Sequence, residues 1–351
     1  MGISGNRILT MKIKLNYRLT LICSLLLILS ALVFSPNSSE AKKPDTTKSS
    51  INDICGGDPT TGGVVEAPGT SDCEFQPDEQ KITFYRLDLC TSEPTAPTKT
   101  VKVDRSNCST FYRNDDGSTV TVIKNQGSQI GSATDYSAIP YGTYSHGIVT
   151  MGSVFKYKTS LTFDAAMTDN GGNTGTTCVT KVSSLGTIYG FSDGLLTGTA
   201  SQRFAKGNVD CQAGAIAEEI DMGINTMTMD DSNNCFHRLN INTTFGIVSG
   251  YLLKSDYTIQ SDVNDNDVAP NASTGCTGQT DNEIKYIMGI MPFTNPITIS
   301  PRTAGMQVQY GNSRGMMVDT SGDNNQFWKF DGGFFNFNLR SVTRRARGSW
   351  R

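Results

Sequence analysis

Histidine is nearly absent from this sequence. Of 351 residues only His146 and His237 are histidine, too few for His-based zinc or di-iron chemistry. Charge is scarce as well: 18% of residues are Asp, Glu, Lys or Arg, below the usual quarter, which excludes a coiled coil or helical bundle. There is no Cys-x-x-Cys pair, so the common zinc-ribbon and thioredoxin-like arrangements are missing. No repeat of 20 to 50 residues is visible, which argues against propellers and solenoids. The single long apolar run, Leu19 to Phe34, would span about 24 Å as a helix, short of a bilayer core of about 30 Å.

That run reads instead as the centre of an export signal. Lys12, Lys14 and Arg18 precede it, and Ser35 to Ala41 follows with small residues suited to cleavage after Ala41. Residues 1–41 are therefore expected to be a signal peptide, with Met11 as a possible true start. Its loss would remove Arg7, Lys12, Lys14 and Arg18 against one acid, Glu40, moving the formal charge from −3 to −6. At the other end Arg340, Arg344, Arg345, Arg347 and Arg351 form a basic tail over residues 340–351. An acidic body is a poor match for a phosphate backbone, so no nucleic-acid partner is expected. No membrane span is expected in the mature chain.

Cys23 lies in the signal, leaving Cys55, Cys73, Cys90, Cys108, Cys178, Cys211, Cys235 and Cys276. An even number behind a signal predicts disulfides formed in an oxidising compartment. The intervals 55–73 and 90–108 are equal, which suits two local loops of the same size. The overall pairing stays open.

Residues 42–54 are polar and read as a flexible leader. Beyond them short β-type runs alternate with Gly, Asn, Asp, Ser and Pro. Ile82 and Phe84, then Leu87 and Leu89, suggest a strand whose facing switches at a bulge. Val120 and Val122 alternate within Thr119 to Lys124. Phe155, Tyr157, Leu161 and Phe163 keep period two. Further strands are expected over 236–244, 283–291, 296–300 and 306–310, and in a final run that faces Phe335, Phe337 and Leu339 one way. One short helix is expected from Ala213 to Met222, on the spacing of Ala213, Ile216, Ala217 and Ile220. The fold class is thus mainly β: a disulfide-bonded antiparallel sandwich or jelly-roll-like domain over 55–339. The alternative is two β domains breaking near 207–211. An outer-membrane barrel is disfavoured by the cysteines and the basic end.

Candidate chemistry is sparse. Gly190 to Gly194 fits the G-x-S-x-G pattern around Ser192, but Leu195 to Thr199 is no helix start and His237 lies in an expected strand. A serine hydrolase is the least favoured reading. Asp262, Asn264, Asp265, Asn266 and Asp267 set hard oxygens at close intervals, a pattern suited to Ca²⁺. The run Asp262 to Asn266 resembles the calcium-binding linker of cadherins over five residues, with Val268 where that linker carries proline. A solvated Asn/Asp turn is the plain alternative. His146 is expected to be a strand-end residue, and Met222, Met227 and Met229 to fill a core edge. Glu218 and Glu219, adjacent in sequence, should point apart. No catalytic set emerges. The expectation is an exported, non-enzymatic surface or extracellular structural protein, a fibre subunit or adhesin that associates with itself, a surface protein or a polysaccharide by β-strand addition. The alternative is a glycan-binding, lectin-like module using Ca²⁺.

Overall fold

Alternation of apolar and polar residues at period two predicts strands with one buried face, and in the computed structural model the regular secondary structure of the described residues is strand apart from one 3-10 turn. It describes residues 9–10, 53–55, 73–123, 127–183, 188–189, 207–224, 238–243, 246–259, 284–319, 326–327 and 329–343. In chain order the strands are β1 (Leu9–Thr10), β2 (Asp53–Ile54), β3 (Cys73–Phe75), β4 (Glu79–Cys90), β5 (Cys108–Ile123), β6 (Gly142–Gly152), β7 (Val154–Lys158), β8 (Ser160–Asp169) and β9 (Thr174–Thr180). There follow β10 (Ile188–Tyr189), β11 (Val209–Asp210), β12 (Ile220–Gly223), β13 (Arg238–Thr243), β14 (Gly246–Lys254), β15 (Ile284–Ile299), β16 (Thr303–Asp319), β17 (Gln326–Phe327) and β18 (Lys329–Thr343).

A nine-stranded sheet runs β10-β12-β7-β4-β6-β15-β14-β13, with β5 on the other side of β4. A five-stranded sheet runs β1-β16-β3-β2 with β18 on β16, and a third runs β11-β9-β8-β17. All pairings are antiparallel except the two-residue contacts of β10 with β12, β17 with β8 and β2 with β3. The strands β6 and β7 form one long run along β4, interrupted at Ser153. There the sheet forks. Ser153 donates its N–H to Lys285 O and its hydroxyl to Ile284 O, while its carbonyl accepts from Ile224 N–H.

The first two sheets face each other as a sandwich. Phe335 of β18 packs on Phe155 of β7 and on Tyr310 of β16, with ring centroids 5.2 and 5.6 Å apart. Gly147 and Gly289 let β18 come close: a Cβ there would lie 2.9 Å from Leu339 and 2.6 Å from Phe337. Phe163, Phe327, Phe330 and Phe75 carry the core onward into the third sheet.

The expected bulge in β4 is present. Ile82, Phe84, Leu87 and Leu89 are all buried, and the register with β5 and β6 shifts between Phe84 and Arg86. The expected strands 283–291 and 296–300 are one strand, β15, irregular between Pro292 and Ile297. Proline lacks the ladder N–H and is tolerated at such an irregularity. The segment 207–211 lies deep in the fold: the Asn208 side chain exchanges two hydrogen bonds with the backbone of Phe330. β18 extends to Thr343, so Arg340 belongs to the ladder and its Nε donates to Gln307 Oε1.

The helix expected over Ala213 to Met222 is absent. Gly214 has φ +81, Ile216 is 83% exposed, and Ile220 to Gly223 is strand β12. Helical spacing of four apolar residues is outweighed by pairing: Ile220 and Met222 lie opposite Tyr157 and Phe155 of β7 and are buried there. The one helical turn among the described residues is 3-10, Ala133–Asp135.

Three disulfides are formed among the described residues: Cys55–Cys73, Cys90–Cys108 and Cys178–Cys211. Both 18-residue intervals are indeed local loops. Each bond stabilises by about 3–4 kcal/mol on the chain-entropy account, and together they point to an oxidising compartment outside the cytosol. Cys235, Cys276 and most of residues 1–54 lie outside the described residues. No helix among the described residues is long and apolar enough to cross a membrane.

Candidate functional site

The outer face of the nine-stranded sheet carries the most site-like surface. Its base is a small apolar cluster of Cys90, Val103, Ile148, Tyr251, Leu253, Ile259, Met288 and Ile290. The Cys90–Cys108 loop, through Val103 and Ala96, covers that cluster. Next to it Asp88, fully buried, accepts hydrogen bonds from Arg86 Nε at 2.8 Å, Arg105 Nε at 3.1 Å and Thr110 Oγ1 at 2.6 Å. A buried carboxylate is tolerated when charged donors surround it in this way. Burial pulls the Arg105 guanidinium below its ordinary range, and Asp88 opposes that shift.

Above this node stand three half-buried tyrosines. Tyr85 meets Tyr286 edge-on with centroids 4.9 Å apart, and Tyr257 lies flat on Tyr286 at 4.6 Å, the planes within 3°. Tyr85 occupies the β4 bulge, which turns it to the outer face. Gly117, at φ +79, lies beneath it; a Cβ there would sit 2.9 Å from the Tyr85 ring. Tyr257 is held at φ +65, the one non-glycine residue with positive φ among the described residues. Such a conformation costs about 1–3 kcal/mol. The turn that enforces it is hydrogen-bonded throughout: Tyr257 N–H to Lys254 O, Lys254 N–H to Thr258 O, and Asp256 Oδ1 accepting from both the N–H and the hydroxyl of Thr258. The strain thus falls on the residue whose ring completes the stack.

The rim is polar. Arg113 grips Asp115 through two bonds of 2.8 and 2.9 Å, and both side chains are mostly exposed. They lie near enough to act electrostatically on Tyr257 and Tyr286. Thr83 and Thr119 share a hydroxyl–hydroxyl bond of 2.9 Å on the adjoining strands.

Burial, and then the hydrogen bond with Tyr257, push the Tyr286 phenol up to about 12. Because the folded state holds this proton more tightly, its contribution to stability is complete below pH 10 and is lost as pH rises through about 12. Alkaline titration followed by tyrosinate absorbance should show a late step that Tyr286→Phe removes. Ionisation of that phenol near pH 10 would mean that water reaches the stack.

The remaining sequence candidates are placed as follows. His146 is in β6 opposite Pro292, its Nδ1 2.9 Å from Ser145 Oγ, and burial lowers its pKa. Met222 fills the core. Glu218 accepts from Val182 N–H, whereas Glu219 pairs with Lys81 and Lys156, so the two acids do point apart. Ser192, His237, Met227, Met229 and the candidate Ca²⁺ residues Asp262, Asn264, Asp265, Asn266 and Asp267 lie outside the described residues. Among the described residues no three His, Cys, Asp or Glu side chains gather as a metal site. The tyrosine cluster joins Tyr257 and Tyr286 to Tyr85, which lies 172 and 201 positions away from them, and a bulge plus a strained turn decide its facing. Only the β4 bulge was visible in the sequence. The chain matches no protein-family model, no curated protein and no solved structure.

Proposed function

We propose that this is an exported, non-enzymatic surface protein of adhesin type that binds glycans on its tyrosine platform. The observation that carries this reading is the Tyr85–Tyr286–Tyr257 cluster, held partly open to water at the expense of backbone strain at Tyr257. A pyranose ring offers an apolar face of C–H groups to aromatic rings and a rim of hydroxyls to polar side chains. Arg113, Asp115 and the Thr83–Thr119 pair supply donors and acceptors at the border of the rings. Calcium at residues 262–267 remains an accessory proposal. Its test is chelator sensitivity of binding, together with Asp265→Ala.

Glycan-array binding by the purified mature protein tests the platform. Tyr257→Gly should lower affinity roughly 10- to 100-fold. It should leave the fold intact, since glycine adopts φ +65 without strain. Unchanged binding in Tyr257→Gly and in Tyr85→Ala would rule out the platform.

A second reading, self-association by strand addition, has its own observation. β18 is a 15-residue strand paired only with β16 among the described residues. Moreover, Leu9–Thr10, within the segment expected to leave on export, is itself a strand laid on Gln309–Tyr310 of β16. Removal of that segment would expose this stretch of the β16 edge, opposite β18, to a strand from another copy. Negative-stain microscopy of mature protein at high concentration should then show fibres. Monodisperse particles under those conditions would exclude this second reading.

A further inference from the structure

Lys329 opens β18, with Asp319 directly opposite it on β16 and Asp331 two residues along on the same face of β18. Its ammonium lies 2.9 Å from Asp331 Oδ2 and 3.7 Å from Asp319 Oδ2. All three side chains are nearly shut off from water, at 10%, 5% and 16% exposure. Phe330 lies between Lys329 and Asp331 in sequence, and Val318 faces it across the ladder; both are fully buried. One amine thus sits between two carboxyl groups in a water-poor site, inside an oxidised, strand-built protein.

We propose that Lys329 and Asp319 condense into an intramolecular amide that ties β16 to β18. Lys329 reacts as the neutral amine and Asp319 as the neutral acid, a proton pairing that desolvation of both charges favours. The Nζ–Cγ bond of the amide forms. Asp331, hydrogen-bonded to Nζ, takes a proton from the attacking nitrogen and returns it to the departing hydroxyl of Asp319, and one water leaves. The net change is ammonium plus carboxylate to amide plus water, with no oxidant or other reactant. Fixed geometry supplies the drive: groups held together in this way react with effective molarities of about 10⁵–10⁸ M. The water released has no ready route back to a buried amide.

Intact-mass spectrometry of the exported chain, reduced and denatured and compared with the sequence from its own N-terminal residue onward, tests this directly. Relative to its sequence the protein should be lighter by one water, about 18 Da. Trypsin should fail to cut after Lys329, and fragmentation should join the peptide holding Asp319 to the one holding Lys329. Asp319→Asn should instead lose ammonia, about 17 Da; Asp319→Ala and Lys329→Ala should show the unmodified mass. Asp331→Asn should keep the fold and leave the amide unformed. A full-weight wild-type chain in native, folded material overturns the proposal, and so does a crosslink that maps to Asp331.

Discussion

Truncation of Phe330 to alanine should destabilise the protein by about 3–5 kcal/mol, as for other fully buried aromatic rings. The ring has no exposure and touches two others: Phe327 with centroids at 4.7 Å and Phe75 at 6.0 Å. Phe327 in turn meets Phe163 of β8 at 5.9 Å. These four rings join the five-stranded and third sheets, so a cavity at their centre has few ways to collapse. The backbone at the same residue is clamped by Asn208, whose amide donates to Phe330 O at 3.0 Å and accepts from its N–H at 2.8 Å. Asn208→Ala should therefore cost about 1–3 kcal/mol through the donor and acceptor it strands. Because both substitutions weaken one joint, the double variant should fall short of the sum of the singles. Urea unfolding, read as a shift in midpoint at constant slope, measures all three. A cost below about 1 kcal/mol for Phe330→Ala would show that the third sheet is not anchored here.

The legible part of this fold is the part in which neighbours in sequence are neighbours on one face. Ile82, Phe84, Leu87 and Leu89 announce both the strand and its bulge, because a one-residue slip must move every later side chain to the other face. The paired 18-residue cysteine intervals are legible for a similar reason: each spans one connection, from β2 to β3 and from β4 to β5. The Ala213 to Met222 helix fails because four apolar residues at helical spacing also allow Ile220 and Met222 to alternate, and only β7 decides between them. Less legible still is the polar chain within the sandwich. Gln80 shares the parity of Ile82 and Phe84 and is as buried as they are. It accepts from Asn312 at 3.0 Å and donates to the Tyr157 hydroxyl at 3.0 Å, while Gln76 donates to Asn312 at 3.1 Å. Its partners lie 77 and 232 positions away, so nothing near it in sequence shows what would satisfy its amide in the interior. The Tyr310 hydroxyl ends beside Gln80 in this chain, and burial raises its pKa well above the ordinary phenol value.

The buried pair of Glu74 and Arg314 should show the opposite asymmetry from a surface ion pair. Arg314 Nε donates to Glu74 Oε2, and the side chains are only 7% and 5% exposed. Removing one partner takes from a buried charge the opposite charge bonded to it here, so Glu74→Leu alone should cost about 3–5 kcal/mol. Replacing both, as Glu74→Leu with Arg314→Met, takes away the desolvation penalty together with the attraction. The double variant should then lie within about 1 kcal/mol of the parent, or above it. By contrast, Arg113 with Asp115, whose side chains are 59% and 70% exposed, should give single and double variants within about 1 kcal/mol of one another. β3 has only three residues and is fastened by Cys55–Cys73 and by its ladder to Met316–Val318 of β16, so the disulfide keeps the strand in place while the charges are exchanged. Denaturant midpoints for the four chains of this cycle decide the matter. If Glu74→Leu were as stable as the double variant, the Arg314 guanidinium would not depend on Glu74 for its place in the interior, and the ion pair would contribute nothing to holding β3.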